Sequence, residues 1–146
     1  MSRARDEVEF ISVMAFDISE EQVAATEAEL GRRLPPVYRA AMMGKNGCIA
    51  FTEDDEWDLH PIRDVSDRKR LGRTCNHVIA ETEAAQEWRG FPEGALAIGE
   101  NSGGDVMILM PSRADRSVYG EEIFVFRHET GEVEMVAEDF SGLVVE

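Results

Sequence analysis

Four short apolar segments in the second half of the chain constrain the fold more than any other feature of the sequence. They are rich in aliphatic or aromatic residues and cover 95–99, 106–110, 122–127 and 133–136. Turn-forming residues separate them, including Ser102-Gly103-Gly104-Asp105 and Glu129-Thr130-Gly131-Glu132. Short β-favouring segments joined by such turns form hairpins. The pattern therefore predicts an antiparallel meander.

The first half of the chain begins with helical signals. Ser19 precedes two acidic residues, and Gln22 stands three residues after it, which is the pattern of a helix N-terminus. An apolar stripe interrupted by one carboxylate follows at helical spacing, formed by Val23, Glu27, Leu30 and Leu34. Pro36 opens a second helix that Asn46-Gly47 ends. Two helices joined at a proline corner are therefore expected.

The remaining segments complete an α+β layer fold. Residues 48–51 and 57–62 are predicted to be strands, 76–88 a further helix, and 138–145 a last amphipathic turn with Phe140 and Leu143 facing inward. No repeat or linker divides the sequence, so residues 1–146 are expected to form one domain. The predicted architecture is an antiparallel or mixed sheet flanked by helices.

The charge of the chain excludes several classes of partner. Thirty acidic residues against fifteen Lys and Arg give a net charge of −15, which repels nucleic acid. The one dense basic run, 68–73, is interpreted as a solvated polar connection. No apolar stretch approaches the length of a membrane span, and residues 1–7 lack the apolar core of a signal peptide. A cytoplasmic location and reduced cysteines are expected.

No residue pattern indicates catalysis, a cofactor or a metal. His60, His77 and His128 have no partner at metal-ligand spacing, and each is predicted to be a surface or strand-end residue. Ser102 lacks the spacing of a nucleophile elbow. Gly103-Gly104 lies between predicted strands, which favours a hairpin turn over a phosphate-binding loop. The chain is therefore predicted not to be an enzyme.

Acidic and aromatic residues are the remaining candidates for binding. The run 53–58 is either a solvated loop or a loop that docks a partner. Trp57 and Trp88 are either core residues, which is the preferred interpretation, or binding anchors. Glu27 lies on an apolar stripe, and its carboxylate is expected to accept hydrogen bonds from backbone groups that fix the helix against the sheet.

Several motifs, taken in order, resemble the SUKH superfamily. The first is Val23-x-x-x-Glu27-x-x-Leu30-Gly31-x-x-Leu34-Pro35-x-x-Tyr38-Arg39, followed by Asn46-Gly47. Leu59-x-Pro61-Ile62 is similar to an early strand of that family. Phe91-Pro92-x-Gly94-x-x-Ala97-Ile98-Gly99 and Gly104-Asp105 are similar to its central hairpin. The resemblance covers about residues 18–142 and implies an α+β fold. The sequence is expected to depart from the family pattern in a C-terminal helix that is truncated at Glu146.

The superfamily includes bacterial immunity proteins and a fungal regulator of cell-wall assembly, so the resemblance implies binding rather than catalysis. The expected function is to bind and neutralise a basic cognate toxin, possibly a nuclease, as a monomer or weak homodimer. The alternative is a regulatory or scaffold module for an endogenous protein or small ligand. The predicted contact residues are Glu53, Asp54, Asp55, Glu56, Trp57 and Asp58, with Asn101 and Asp105 as a second choice.

Overall fold

The computed structural model describes residues 16–146, and this part contains four α-helices, seven β-strands and one 3-10 helix. The helices are α1 (Glu20–Leu30), α2 (Pro36–Gly44), α3 (Arg68–Arg73) and α4 (Val78–Ala85). The strands are β1 (Ile49–Thr52), β2 (Asp55–Leu59), β3 (Leu96–Glu100), β4 (Val106–Leu109), β5 (Ile123–Phe126), β6 (Val133–Ala137) and β7 (Val144–Val145). The 3-10 helix is Phe140–Gly142.

The strands form one antiparallel sheet in the order β6-β5-β4-β3-β2-β1-β7. Six strands follow one another as a meander, and the short strand β7 returns to pair with β1 at the opposite edge. Every ladder between named strands is antiparallel. The α+β fold is confirmed, and the sheet is antiparallel rather than mixed.

Local signals account for the first two helices. The hydroxyl of Ser19 accepts a hydrogen bond from the backbone N–H of Gln22, and Gly31 ends α1 in the left-handed conformation, with φ 73°. A Cβ at this φ is unfavourable, so glycine suits the position. Pro36 occupies the first turn of α2, where its missing N–H costs nothing. Both predicted helix starts are confirmed.

The two faces of the sheet carry separate apolar clusters. Met107 and Leu109 point into the larger cluster, which includes the buried residues of α1 and α2. Val106 and Ile108 alternate with them and pack on the opposite face, together with Ala85 of α4. Helices therefore cover the sheet on both faces, with α4 alone contributing a buried residue to the second cluster.

A bulge between Ala97 and Gly99 fixes the position of α4. At this irregularity in the β3–β4 register, the backbone N–H of Ala97 donates to the hydroxyl of Thr82 over 2.8 Å. Thr82 is a buried residue of α4. The bulge thus frees a backbone donor that the helix satisfies.

The structure corrects several predicted boundaries. The run 53–58 is not a loop, because only Glu53-Asp54 forms a turn and β2 starts at the next residue. Residues 68–73 form a short helix capped by the carboxylate of Asp67 instead of an irregular connection. The C-terminal turn is a 3-10 helix with buried Phe140 and Leu143, and the chain then continues as strand β7 rather than as a truncated helix.

Two expectations about membranes and secretion have different outcomes. No helix within residues 16–146 combines the length and apolar composition needed to cross a bilayer. Residues 1–7, where no signal peptide is expected, lie outside the described residues.

Candidate functional site

Three hairpin turns lie side by side at one end of the sheet. They join β1 to β2, β3 to β4 and β5 to β6, because consecutive antiparallel strands place alternate turns at the same end. We call residues 53–56, 101–105 and 127–132 the acidic turn end. Its carboxylates belong to Glu53, Asp54, Asp55, Glu56, Asp105, Glu129 and Glu132. The fold therefore brings the acidic residues of 53–56 close to those of 127–132, which are far apart in the sequence.

Asn101 joins the first two turns. Its side-chain oxygen accepts hydrogen bonds from the backbone N–H groups of Gly103 and Asp105, at 3.1 and 2.8 Å. Its amide nitrogen donates to the Asp55 carboxylate over 2.6 Å. Because Asn101 is buried, it positions the turns and does not present its amide to a partner.

Asp105 joins the second turn to the third. Its carboxylate accepts a hydrogen bond from Arg127 Nη1 at 3.1 Å and lies 3.0 Å from His128 Nδ1. Partial burial favours a higher pKa, but the hydrogen bonds from Arg127, His128 and Asn101 outweigh it and lower the pKa of Asp105. Asp105 is therefore ionised and already paired within the protein.

Close packing holds the third turn against the second. Gly104 has φ 91°, and a Cβ there would lie 3.3 Å from His128 Cε1. The other side of the His128 ring contacts Trp88, with ring centroids 4.7 Å apart. Trp88 is 44% exposed, so the preferred prediction that it belongs to the core is wrong. It places an accessible aromatic ring beside the acidic turn end.

The predicted contact residues other than Asp55, Asn101 and Asp105 fall into three groups. Glu53, Asp54 and Glu56 are exposed at the acidic turn end, where none forms an ion pair with another described residue. Trp57 is only 1% exposed, and its indole N–H donates to Thr52 Oγ1. Asp58 points away from the turns.

Asp58 lines a separate cleft of about 490 Å³ beside α3. The cleft mixes both charge signs, and its lining includes Asn46, Cys48, Asp58, Asp64, Arg70 and Arg73. Asp64 is buried and pairs with Arg70 over 3.0 Å. Burial opposes the ionisation of Asp64, but hydrogen bonds from Ser66 and Arg70 prevail and lower its pKa. Because Asp64 pairs with Arg70, much of the positive charge of the cleft is already neutralised.

Glu27 fixes the proline corner between α1 and α2. Its Oε2 accepts the backbone N–H of Leu34 at 2.7 Å and pairs with Arg39 Nε at 3.1 Å. Arg39 also donates two hydrogen bonds to the Glu20 carboxylate. The predicted hydrogen bonding of Glu27 to the backbone is confirmed, but it stabilises the corner between the helices rather than a contact with the sheet.

The histidines match their predicted positions only in part. His60 directly follows β2, as the strand-end alternative expects, but it is buried rather than on the surface, and burial lowers the pKa of its ring to about 4. Nε2 lies 3.9 Å from Glu100 Oε1, and Glu81 also offers a carboxylate to the same group. The desolvation of Glu81, with the nearby charge of Glu100, raises the pKa of Glu81. Sequence spacing gave no signal, since three different segments supply these residues.

His77 caps the N-terminus of a helix. Its ring Nδ1 accepts the backbone N–H of Ala80 at 3.3 Å and caps the first turn of α4. This interaction is local, and nothing in it requires a ligand.

Comparison of the chain with known proteins and families shows which family it belongs to. No curated protein matches the chain at a significant level. A model of the SMI1 / KNR4 family (SUKH-1) matches residues 17–146, which includes both helices of the Glu27 corner and all three turns. Since this match covers most of the sequence, the chain belongs to the SMI1 / KNR4 family (SUKH-1).

Proposed function

We propose that this chain is a non-catalytic immunity protein that binds a basic toxin through the acidic turn end and blocks it stoichiometrically. Family membership supports an immunity-like or related domain. The observation that carries the specific proposal is the grouping of exposed carboxylates on adjacent turns, with Trp88 beside them. Tryptophan is a frequent anchor in protein interfaces, and the surrounding carboxylates complement the charge of a basic partner.

Electrostatics favours Glu53, Asp54 and Glu56 as the residues that first meet the toxin. They are exposed and lack described ion-pair partners, so their charge is available to an approaching cation. Complementary charge raises association rates from about 10⁵–10⁶ towards 10⁸–10⁹ M⁻¹s⁻¹ at low salt. If the toxin is a nuclease, these carboxylates occupy positions that it uses for phosphates.

The cleft beside α3 supports the second candidate function, a regulatory module that binds a small ligand or an endogenous protein. Its volume of about 490 Å³ lies within the range of small-molecule sites, roughly 300–1,000 Å³. Its lining includes Arg73 and Asp58, so a ligand with both charge signs fits it best. This function predicts weak, reversible binding and no protection from a toxin.

The first experiment identifies the partner. The tagged full chain is used to capture proteins from a lysate of its native organism, and each captured chain is expressed alone and together with this protein. The proposal predicts a basic chain that kills cells alone and not upon co-expression. Captured chains that are not toxic, or that kill equally in both cases, contradict immunity.

A second experiment locates the interface with variants of equal net charge. Glu53→Lys/Asp54→Lys alters the acidic turn end, and the matched control Glu21→Lys/Glu29→Lys alters exposed positions on α1. Each pair changes the net charge from −15 to −11. The turn variant is expected to slow association about tenfold at low salt and to lessen its salt dependence. Equal rates for the two variants would exclude this surface while leaving immunity itself open to the capture test.

A further inference from the structure

Three potential metal ligands converge between the sheet and α4. His60 immediately follows β2, Glu100 ends β3, and Glu81 lies on α4. One donor atom from each residue lies within 4.8 Å of the other two. The register pairs Asp58 with Glu100, and the backbone N–H of His60 donates to the Ile98 carbonyl at 2.8 Å. The backbone contacts between β2 and β3 thus hold two of the three ligands in place.

No described residue forms a hydrogen bond with the His60 ring. Its side chain is only 5% exposed, and within residues 16–146 it makes no side-chain hydrogen bond. The distance of 3.9 Å from Nε2 to Glu100 Oε1 is too long for one. Buried polar side chains are normally satisfied. The imidazole thus lies beside two carboxylates without bonding to either, so a ring nitrogen is available to bind a metal ion.

The two carboxylates also lack compensating charge. Among the described residues, neither Glu81 nor Glu100 has a Lys or Arg nitrogen within 4.0 Å. Two like charges in a partly buried space repel each other, and a bound cation removes that repulsion. The chemistry of the group is one nitrogen and two oxygen donors facing the same space.

We propose that His60, Glu81 and Glu100 form a binding site for a divalent transition metal, with Zn²⁺ as the best-fitting ion. Imidazole and carboxylate together favour Zn²⁺ over Mg²⁺ or Ca²⁺, which prefer oxygen ligands alone. Tetrahedral zinc with bonds of about 2.0–2.2 Å places its ligand atoms roughly 3.3–3.6 Å apart. Contraction to that size requires rotation of the two glutamates, and neither side chain is buried, with Glu100 54% exposed. Three protein ligands leave the fourth position to water.

Because α4 supplies one ligand and the sheet supplies two, the ion would connect the layers. Thr82, next to Glu81, already bonds the β3 bulge through Ala97. A metal bond beside it adds a second tie between the same elements. Because the ion binds the folded chain and not the unfolded chain, it should raise the thermal stability of the protein.

The test is isothermal titration calorimetry of the metal-free full chain with ZnCl₂, supported by thermal unfolding with and without zinc. The protein is prepared without a histidine tag and in a Cys75→Ser background, because the exposed Cys75 thiol is itself a zinc ligand. His60→Gln and Glu100→Gln remove ligands, and Glu83→Gln on α4 is the matched control. MgCl₂ serves as the comparison ion.

We expect one zinc ion per chain, a rise in Tm of several degrees, and little binding of magnesium. His60→Gln and Glu100→Gln should each weaken zinc binding at least tenfold, while Glu83→Gln leaves it unchanged. Since Glu100 is exposed, its variant decides the question even if His60→Gln fails to fold. Several weak ions per chain, or equal zinc affinity in the ligand variants and the control, would show that surface carboxylates alone attract the metal and would overturn the proposal.

Discussion

Replacement of Glu27 tests whether one carboxylate holds the corner between α1 and α2. In Glu27→Ala, the buried Leu34 loses the acceptor of its backbone N–H, which lies 2.7 Å from Glu27 Oε2. A buried donor without a partner costs about 1–3 kcal/mol. Arg39 also loses two contacts with Glu27, at 3.1 and 3.2 Å, but keeps those with Glu20. This adds about 1 kcal/mol, since Arg39 stays partly paired.

We therefore expect Glu27→Ala to lower the free energy of unfolding by about 3 kcal/mol, which corresponds to a fall in Tm of roughly 6–12 °C for a chain of this size. Glu27→Gln keeps an oxygen acceptor for Leu34 and loses only the charge, so its cost should be about 1 kcal/mol. The exposed Glu29→Ala on the same helix is the control, with a change below about 0.5 kcal/mol.

Urea denaturation followed by circular dichroism measures all three variants. The order Glu27→Ala, Glu27→Gln, Glu29→Ala in decreasing cost is the expected result. If Glu27→Ala falls within about 0.5 kcal/mol of the wild type, water replaces the carboxylate at Leu34, and the reasoning from the buried N–H is refuted.

Three further predictions concern other parts of the chain. Asn101→Ala removes the acceptor of two backbone N–H groups and should cost about 2 kcal/mol in urea unfolding, at roughly 1 kcal/mol per hydrogen bond, whereas the exposed Ser102→Ala in the same turn should cost almost nothing. Folding lowers the pKa of Asp64 below its usual 3.8, so its stabilising effect is present above that pH and lost as the pH falls through the folded pKa. The stability gap between wild type and Asp64→Asn should then shrink from pH 6 to pH 3, and a constant gap would contradict it. Burial raises the pKa of the Cys48 thiol while Cys75 is exposed, so a thiol reagent should titrate Cys75 quickly and Cys48 only after unfolding.

Features that depend on neighbouring residues in the chain were predictable from the sequence. The Ser19 cap, Pro36 and the Gly103-Gly104 turn each act through contacts within a few residues, and all three have the expected structure. The hairpins β1–β2, β3–β4 and β5–β6 follow from short turns, because strands joined by such a turn pair with each other. Local signals thus predicted the fold class and most of the element order.

Features that depend on burial were not predictable in the same way. The strand predicted over 57–62 starts earlier, at Asp55, because burial of Trp57 and Leu59 on one face outweighs the low strand propensity of the acidic residues. The residues of the group around His60 come from three separate segments, so no spacing in the sequence indicates it. The exposed acids of the turns were predicted from the sequence, whereas the hydrogen bonds of Asn101 that join the first two turns were not.

The contrasting positions of the two tryptophans give the protein an intrinsic optical probe of the acidic turn end. Trp57 is enclosed in the core and hydrogen-bonded to Thr52, whereas Trp88 is partly exposed to solvent and lies tilted against His128. The emission of the native chain is therefore the sum of a short-wavelength component that is insensitive to added solutes and a long-wavelength component that acrylamide quenches. A molecule that covers the turns shields the second component and leaves the first unchanged. Contact at this surface can thus be followed in an unlabelled protein, with Trp57 as the internal reference.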